Sequence, residues 1–125
     1  MTRYETGRIG EDAVCVYLEN LGYEIIVRNY RIKGGEIDII ARNDEYTAFV
    51  EVKSRKPNAL VSGLEAVNKR KQALIIKTAA DFCCKNPDTL QPRFDIAEVT
   101  VDNGKILSID YIFNAYDTTG YNFIF

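Results

Sequence analysis

The stretch "GGEIDIIARNDEYTAFVEVKSR", residues 34–55, decides the fold. Gly34-Gly35 is a turn signal, and "RNDEY" makes the next turn. Ile37, Ile39 and Ala41 alternate with Glu36, Asp38 and Ile40, the period of a strand. Ala48, Val50 and Val52 then alternate with Phe49, Glu51 and Lys53 in a second strand. As neighbours in one sheet, these strands place Glu51 and Lys53 on one face and let Asp38 face them across the ladder. Charges inside segments otherwise made for a core call for an explanation.

Upstream, Thr2 and Glu5 have capping-box spacing and predict a helix start. Val14, Leu18 and Leu21 form its apolar stripe, with Ala13 and Tyr17 beside it, and Gly22 ends it. Tyr23 to Tyr30 reads as a strand with Ile25 and Val27 on one face. Downstream, Ser62 and Glu65 offer a second capping box, opening a helix to about Lys85 before Asn86-Pro87-Asp88 stops it. Arg93 to Val101 and Lys105 to Phe113 read as strands around a "DNG" hairpin turn. The order α-β-β-β-α-β-β predicts an α/β (α+β) fold, a mixed sheet flanked by helices. Residues 1–115 are expected to form a single domain, with 116–125 a C-terminal extension packed on it.

Composition narrows the chemistry. A chain of 125 residues, 46% hydrophobic and 27% charged, is long enough for a core of its own. It contains no histidine, which excludes Ser-His-Asp and Cys-His mechanisms and removes the commonest nitrogen ligand of zinc. Cys15, Cys83 and Cys84 lie in helical apolar patterns without C-x-x-C spacing, so they are expected to be buried small hydrophobes. No apolar run reaches membrane-spanning length, and "MTRYETGRIGEDA" has no apolar core of a secretory signal. A cytoplasmic protein without membrane contact or small-molecule cofactor is expected. The net charge is −2, yet basic residues cluster at Arg28, Arg31 and Lys33, at Lys53, Arg55 and Lys56, and at Lys69, Arg70 and Lys71. Such patches engage phosphates locally, though each also fits a solvated surface.

Asp38 and Glu51 are spaced to share one cation, and hard oxygen ligands without His or Cys select Mg²⁺ or Mn²⁺. Lys53 beside them would orient a water or balance phosphate charge. The simpler reading of E-x-K on a strand is an ion pair on a half-solvated face. Glu11 adds weight to the first reading. It lies on the helical stripe of Val14, Leu18 and Leu21, where a carboxylate is costly unless paired or cation-bound. The alternative for Glu11 is an acid favoured by the helix dipole.

"GRIGEDAVCVYLENLGYEIIVRNYR", "GEIDIIAR", "FVEVKSR" and "RFDIAEV" together resemble the YraN family of proposed bacterial endonucleases. They are similar, more distantly, to the archaeal Holliday-junction resolvases. Both belong to the PD-(D/E)xK, restriction-endonuclease-like superfamily. The resemblance runs from about Gly7 through Ala115 and implies a metal-dependent nuclease acting on DNA, including branched or structured DNA. It makes Glu11 the helix acid, Asp38 the strand acid, and Glu51 and Lys53 the E-x-K pair, with Asp38, Glu51 and Glu11 serving the metal. Ile37-Asp38 stands where the superfamily has Pro-Asp, a loss of the dispensable half. Arg31, Arg55, Lys56, Lys71 and Gln72 are expected near nucleic acid, as are Asn29 and Tyr30. A homodimer would suit cutting two strands. The rival classes are a nucleic-acid-binding module without turnover and a protein-interaction domain.

Overall fold

Five strands pair in chain order among the described residues, 2–58 and 67–120, of the computed structural model. They are β1 (Glu24–Ile32), β2 (Gly35–Arg42), β3 (Tyr46–Arg55), β4 (Gln91–Asp102) and β5 (Lys105–Tyr116). All neighbours are antiparallel except β3 and β4, which run parallel from Tyr46↔Gln91 to Arg55↔Thr100. A parallel pair requires a crossover, and helix α2 (Lys69–Lys85) lies within it. Helix α1 (Arg3–Asn20) covers the other face. The expected mixed sheet flanked by helices, in the order α-β-β-β-α-β-β, is therefore the observed architecture.

Alternation along β3 builds both layers of core. Ala48 and Val50 pack with Val14 and Leu18 of α1, whereas Phe49 packs with Ile75, Ile76 and Phe82 of α2. Phe49 stacks on Phe94 and meets Phe82 edge-on, at centroid distances of 5.6 and 5.9 Å. Two glycines set how near the helices come. A Cβ on Gly10 would lie 2.0 Å from Ser54 Oγ, and one on Gly35 would lie 2.1 Å from Thr78 Oγ1.

The ends of α1 follow the sequence. Thr2 and Glu5 form the reciprocal capping box, and Gly22 adopts a left-handed φ of 94° just past the C-cap. Leu21 departs from the expected stripe. As the C-cap it is 51% exposed, and the buried face is Gly10, Glu11, Val14, Cys15 and Leu18. The second helix also differs. Asn68 is extended and caps α2 by accepting from the Lys71 N–H, so no single helix runs from Ser62 to Lys85. Ser62 and Glu65 themselves lie outside the described residues.

Two strands break their expected period. In β1 the register steps between Ile25 and Val27, so Ile25 packs on the α1 side while Ile26 and Val27 pack on the α2 side. In β2, Ile39 and Ala41 face α1 but Ile37 faces α2, so the three do not share a face. Cys15 is buried as expected and Cys83 partly so, but Cys84 is exposed on the outer side of α2. At the far end, Tyr116 closes β5 and stacks on Phe94 at 5.4 Å; residues 121–125 lie outside the described part.

Candidate active site

The break in β2 positions Asp38. The β2–β3 ladder runs from Arg42↔Thr47 to Ile39↔Val50. Next to its last rung, the Val52 N–H donates to Asp38 Oδ2 at 2.8 Å. A side chain has taken over from the neighbouring strand's carbonyl, so the two strands separate around this carboxylate. That accounts for an acid inside an apolar strand: it satisfies a backbone donor that the ladder no longer reaches.

Glu51 lies on the next turn of β3's alternation, facing α2, and is 5% exposed. Two ammonium groups hold it. Lys53 Nζ, on the same strand face, and Lys71 Nζ, from the first turn of α2, each lie 3.3 Å from Glu51 Oε1. Beyond them on this face, Arg55 pairs with buried Glu98 of β4.

Glu11 approaches from the opposite side. Gly10 lets α1 settle close to β3, which brings the next residue down onto the sheet. Arg28 Nε and Asn29 Nδ2 donate to Glu11 Oε1 at 2.9 and 3.1 Å, and Arg28 Nη2 also bonds Asp12 at 2.6 Å. Asn29 has a φ of 55°, a left-handed conformation that Asn tolerates better than most residues. It turns β1 so that Arg28 reaches α1 while Tyr30 packs against Phe82 on the other face.

The electrostatics concentrate on Asp38. Burial pushes its carboxyl up to about 7, and the charge of nearby Glu51 adds to the rise. The Val52 N–H pulls the other way without prevailing; Glu11 and Glu36 contribute further repulsion. Asp38 is thus an acid held back from ionising, chiefly by burial and then by its acidic neighbours.

Glu51 and Lys53 pair on one strand face, Lys71 joins Glu51 from α2, and Asp38 lies near enough to Glu51 for their charges to interact. The expected pocket of three acids is narrower in fact. Among the described residues no group of three or more His, Cys, Asp or Glu side chains is arranged to hold a metal ion. Glu11 is engaged by Arg28 and Asn29, leaving Asp38 and Glu51 as the pair. Of the residues expected near nucleic acid, Arg31 is exposed and bonded to Glu36, and Lys56 is exposed. Arg55 is committed to Glu98, while Tyr30 donates to Asp81 at 2.6 Å. Gln72 sits elsewhere: its amide donates to the Val67 carbonyl, and it lines a separate hollow with Tyr116 and Asp117. Sequence reasoning missed Arg28 as Glu11's partner, because nothing local links residues from a helix and the strand after it.

Residues 10–99, a span that takes in Glu11, Asp38, Glu51, Lys53 and Lys71, match the profile described as Uncharacterised protein family UPF0102. The chain belongs to this family. A UPF0102 protein of Alkaliphilus metalliredigens is 43% identical over 111 residues, covering 88% of this chain and 96% of the relative. One from Dictyoglomus thermophilum is 37% identical over 118 residues, covering 93% of this chain and 100% of its own. Another, from Prosthecochloris aestuarii, is 40% identical over 111 residues, with 86% of this chain and 87% of the relative covered. The UPF0102 fold described above includes no helix, among the described residues, long and apolar enough to cross a membrane.

Proposed function

We propose that this UPF0102 protein is a metal-dependent endonuclease that hydrolyses phosphodiester bonds in DNA, with branched or structured DNA among its substrates. The observation that carries the reading is the Asp38–Glu51 pair, set where β2 and β3 separate, with Lys53 and Lys71 beside Glu51.

The residues fit Mg²⁺ or Mn²⁺. The donors are hard carboxylate oxygens, and a divalent cation would offset both the burial of Asp38 and the repulsion from Glu51. Mg²⁺ commonly uses only one or two protein carboxylates, taking its other ligands from water and substrate phosphate. Asp38 and Glu51 would hold it, with Glu11 serving through water from the α1 side. When bound, such a cation polarises the phosphate and acidifies water.

The chain's own groups do the rest. The Val52 N–H fixes one oxygen of Asp38 and so its orientation. Lys53 positions the attacking water and offsets charge developing on the phosphate. Lys71 supplies a second positive charge from α2, at a helix N-terminus whose dipole also favours an anion. Lys56 and Arg31, both exposed, contact phosphates further along the strand.

The test is cleavage of plasmid, single-stranded, flap and four-way-junction DNA with Mg²⁺ or Mn²⁺. Glu51→Ala and Lys53→Ala are each expected to lower the rate about a hundred-fold or more. Cleavage that survives both substitutions, or no cleavage of any substrate by the unaltered protein, sinks the reading. Metal-independent DNA binding without cleavage would then select a binding module.

A further inference from the structure

A groove of about 450 Å³ runs beside Asp38, between the first turns of α1 and the β1–β2 hairpin. Arg3, Tyr4 and Arg8 form one wall; Arg31 stands opposite, and Glu11 and Asp38 lie along it. Tyr4 is 72% exposed, a large ring whose place is not explained by packing against the described residues. Arg3 and Arg8 make no ion pair with any described residue. Among the described residues Arg31 is tied only to Glu36, through an exposed contact of the kind that contributes little and yields to a competing anion. Of the three acids along the groove, Glu11 is paired with Arg28 and Glu36 with Arg31, and Asp38 belongs to the site itself.

We infer that this groove takes an unpaired DNA strand leading to the site, with Arg3, Arg8 and Arg31 on phosphates and Tyr4 stacked on a base. Arginines that track a backbone, combined with an exposed aromatic ring, are the two elements of single-strand binding. A base inside a duplex has both faces covered by its neighbours, so Tyr4 has a partner only where pairing is broken. The inference rests on the hydrolytic reading for the direction of the strand, since Asp38 lines the groove. It adds that the substrate is unpaired on the α1 side of the cut.

Fluorescence anisotropy with labelled oligothymidylate, and with duplex DNA of the same length, tests this in EDTA, where binding is read without cleavage. Tyr4→Ala should weaken oligothymidylate binding about ten-fold and leave duplex binding unchanged, while Tyr4→Phe keeps the affinity. Arg3→Gln and Arg8→Gln should each flatten the salt dependence by about 0.7 in log–log slope. Oligothymidylate binding unaffected by Tyr4→Ala, or equal losses for duplex and single strand, overturns the inference. The two readings fail separately. A protein that binds oligothymidylate through Tyr4 and cuts nothing leaves this inference standing. One that cuts duplex DNA and binds oligothymidylate equally well without Tyr4 overturns this inference alone.

Discussion

Asp38 does two jobs whose demands conflict. It closes a gap in the β2–β3 ladder by accepting the Val52 N–H, and it faces another carboxylate at Glu51. The first job favours ionisation; burial and Glu51 oppose it, and they prevail, with the carboxyl raised from 3.8 to about 7. A folded-state value above the unfolded one means that the folded protein binds this proton more tightly. Stability from this group is therefore full below about pH 4 and is lost as pH rises through about 7. Asp38→Asn retains an oxygen for the Val52 N–H but does not titrate. Without metal, the stability of the unaltered protein relative to Asp38→Asn should fall across this window, by on the order of 3 kcal/mol. Urea denaturation on either side of the window measures it, and Mg²⁺ should recover the loss only where Asp38 is present. Parallel pH profiles for the two proteins would remove Asp38 as the strained group.

At the scale of elements, α1 delivers Glu11 only because Gly10 lets the helix come close to Ser54 and Val99. Ser54 Oγ is buried without a hydrogen-bond partner among the described residues, so it contributes little to offset its burial. Gly10→Ala improves helix propensity by about 1 kcal/mol but brings its Cβ against that hydroxyl, so it should destabilise by about 1–3 kcal/mol net. Adding Ser54→Ala removes the obstructing oxygen, and the double variant should be at least as stable as the unaltered protein. A double-mutant cycle by thermal denaturation tests this; strict additivity would show that the contact does not limit the approach. Neither Gly10's role nor the break around Asp38 was legible in the sequence. Residues 34–55 revealed the two strands and the Glu51–Lys53 face, because alternation depends only on local backbone geometry. Alternation also assumes an unbroken strand, and Ile25/Val27 and Ile37/Ile39 violate it where irregularities shift the pleat. The start of α2 was misplaced for a related reason. Its cap is Asn68, whose partner is a backbone N–H and leaves no pattern at Lys71; Ser62 and Glu65 lie outside the described residues.

Across the whole molecule, a second polar cluster lies on the sheet face opposite Glu51 and has no evident part in the chemistry. Arg93 makes a bidentate pair with fully buried Asp95, with contacts of 2.7 to 3.2 Å. Tyr111 donates to Asp95 at 2.6 Å, the Asn114 N–H at 2.8 Å, and Arg93 in turn donates to the Tyr23 hydroxyl at 2.8 Å. The guanidinium also lies within 5.5 Å of the ring centroids of Tyr23, Tyr46 and Phe113. One ion pair thereby joins β3, β4, β5 and the segment leaving α1. The alternation of "RFD" places both charges on one face of a strand, but only the assembled fold surrounds them with hydroxyls and rings. Asp95→Asn leaves Arg93 buried without its counter-charge, a change that costs about 3–5 kcal/mol and should lower the melting temperature by about 10–20 °C. Tyr111→Phe removes one bond from a carboxylate that keeps its others, at about 1–3 kcal/mol. Because the cluster lies on the sheet face opposite Glu51, cleavage well below the melting temperature should be unchanged in both variants. Calorimetry and the cleavage assay on the same preparations separate the two effects. A fall in rate at full folding would mean that the cluster reaches Glu51 through β4, along the Glu51↔Ile96 register of the parallel pair.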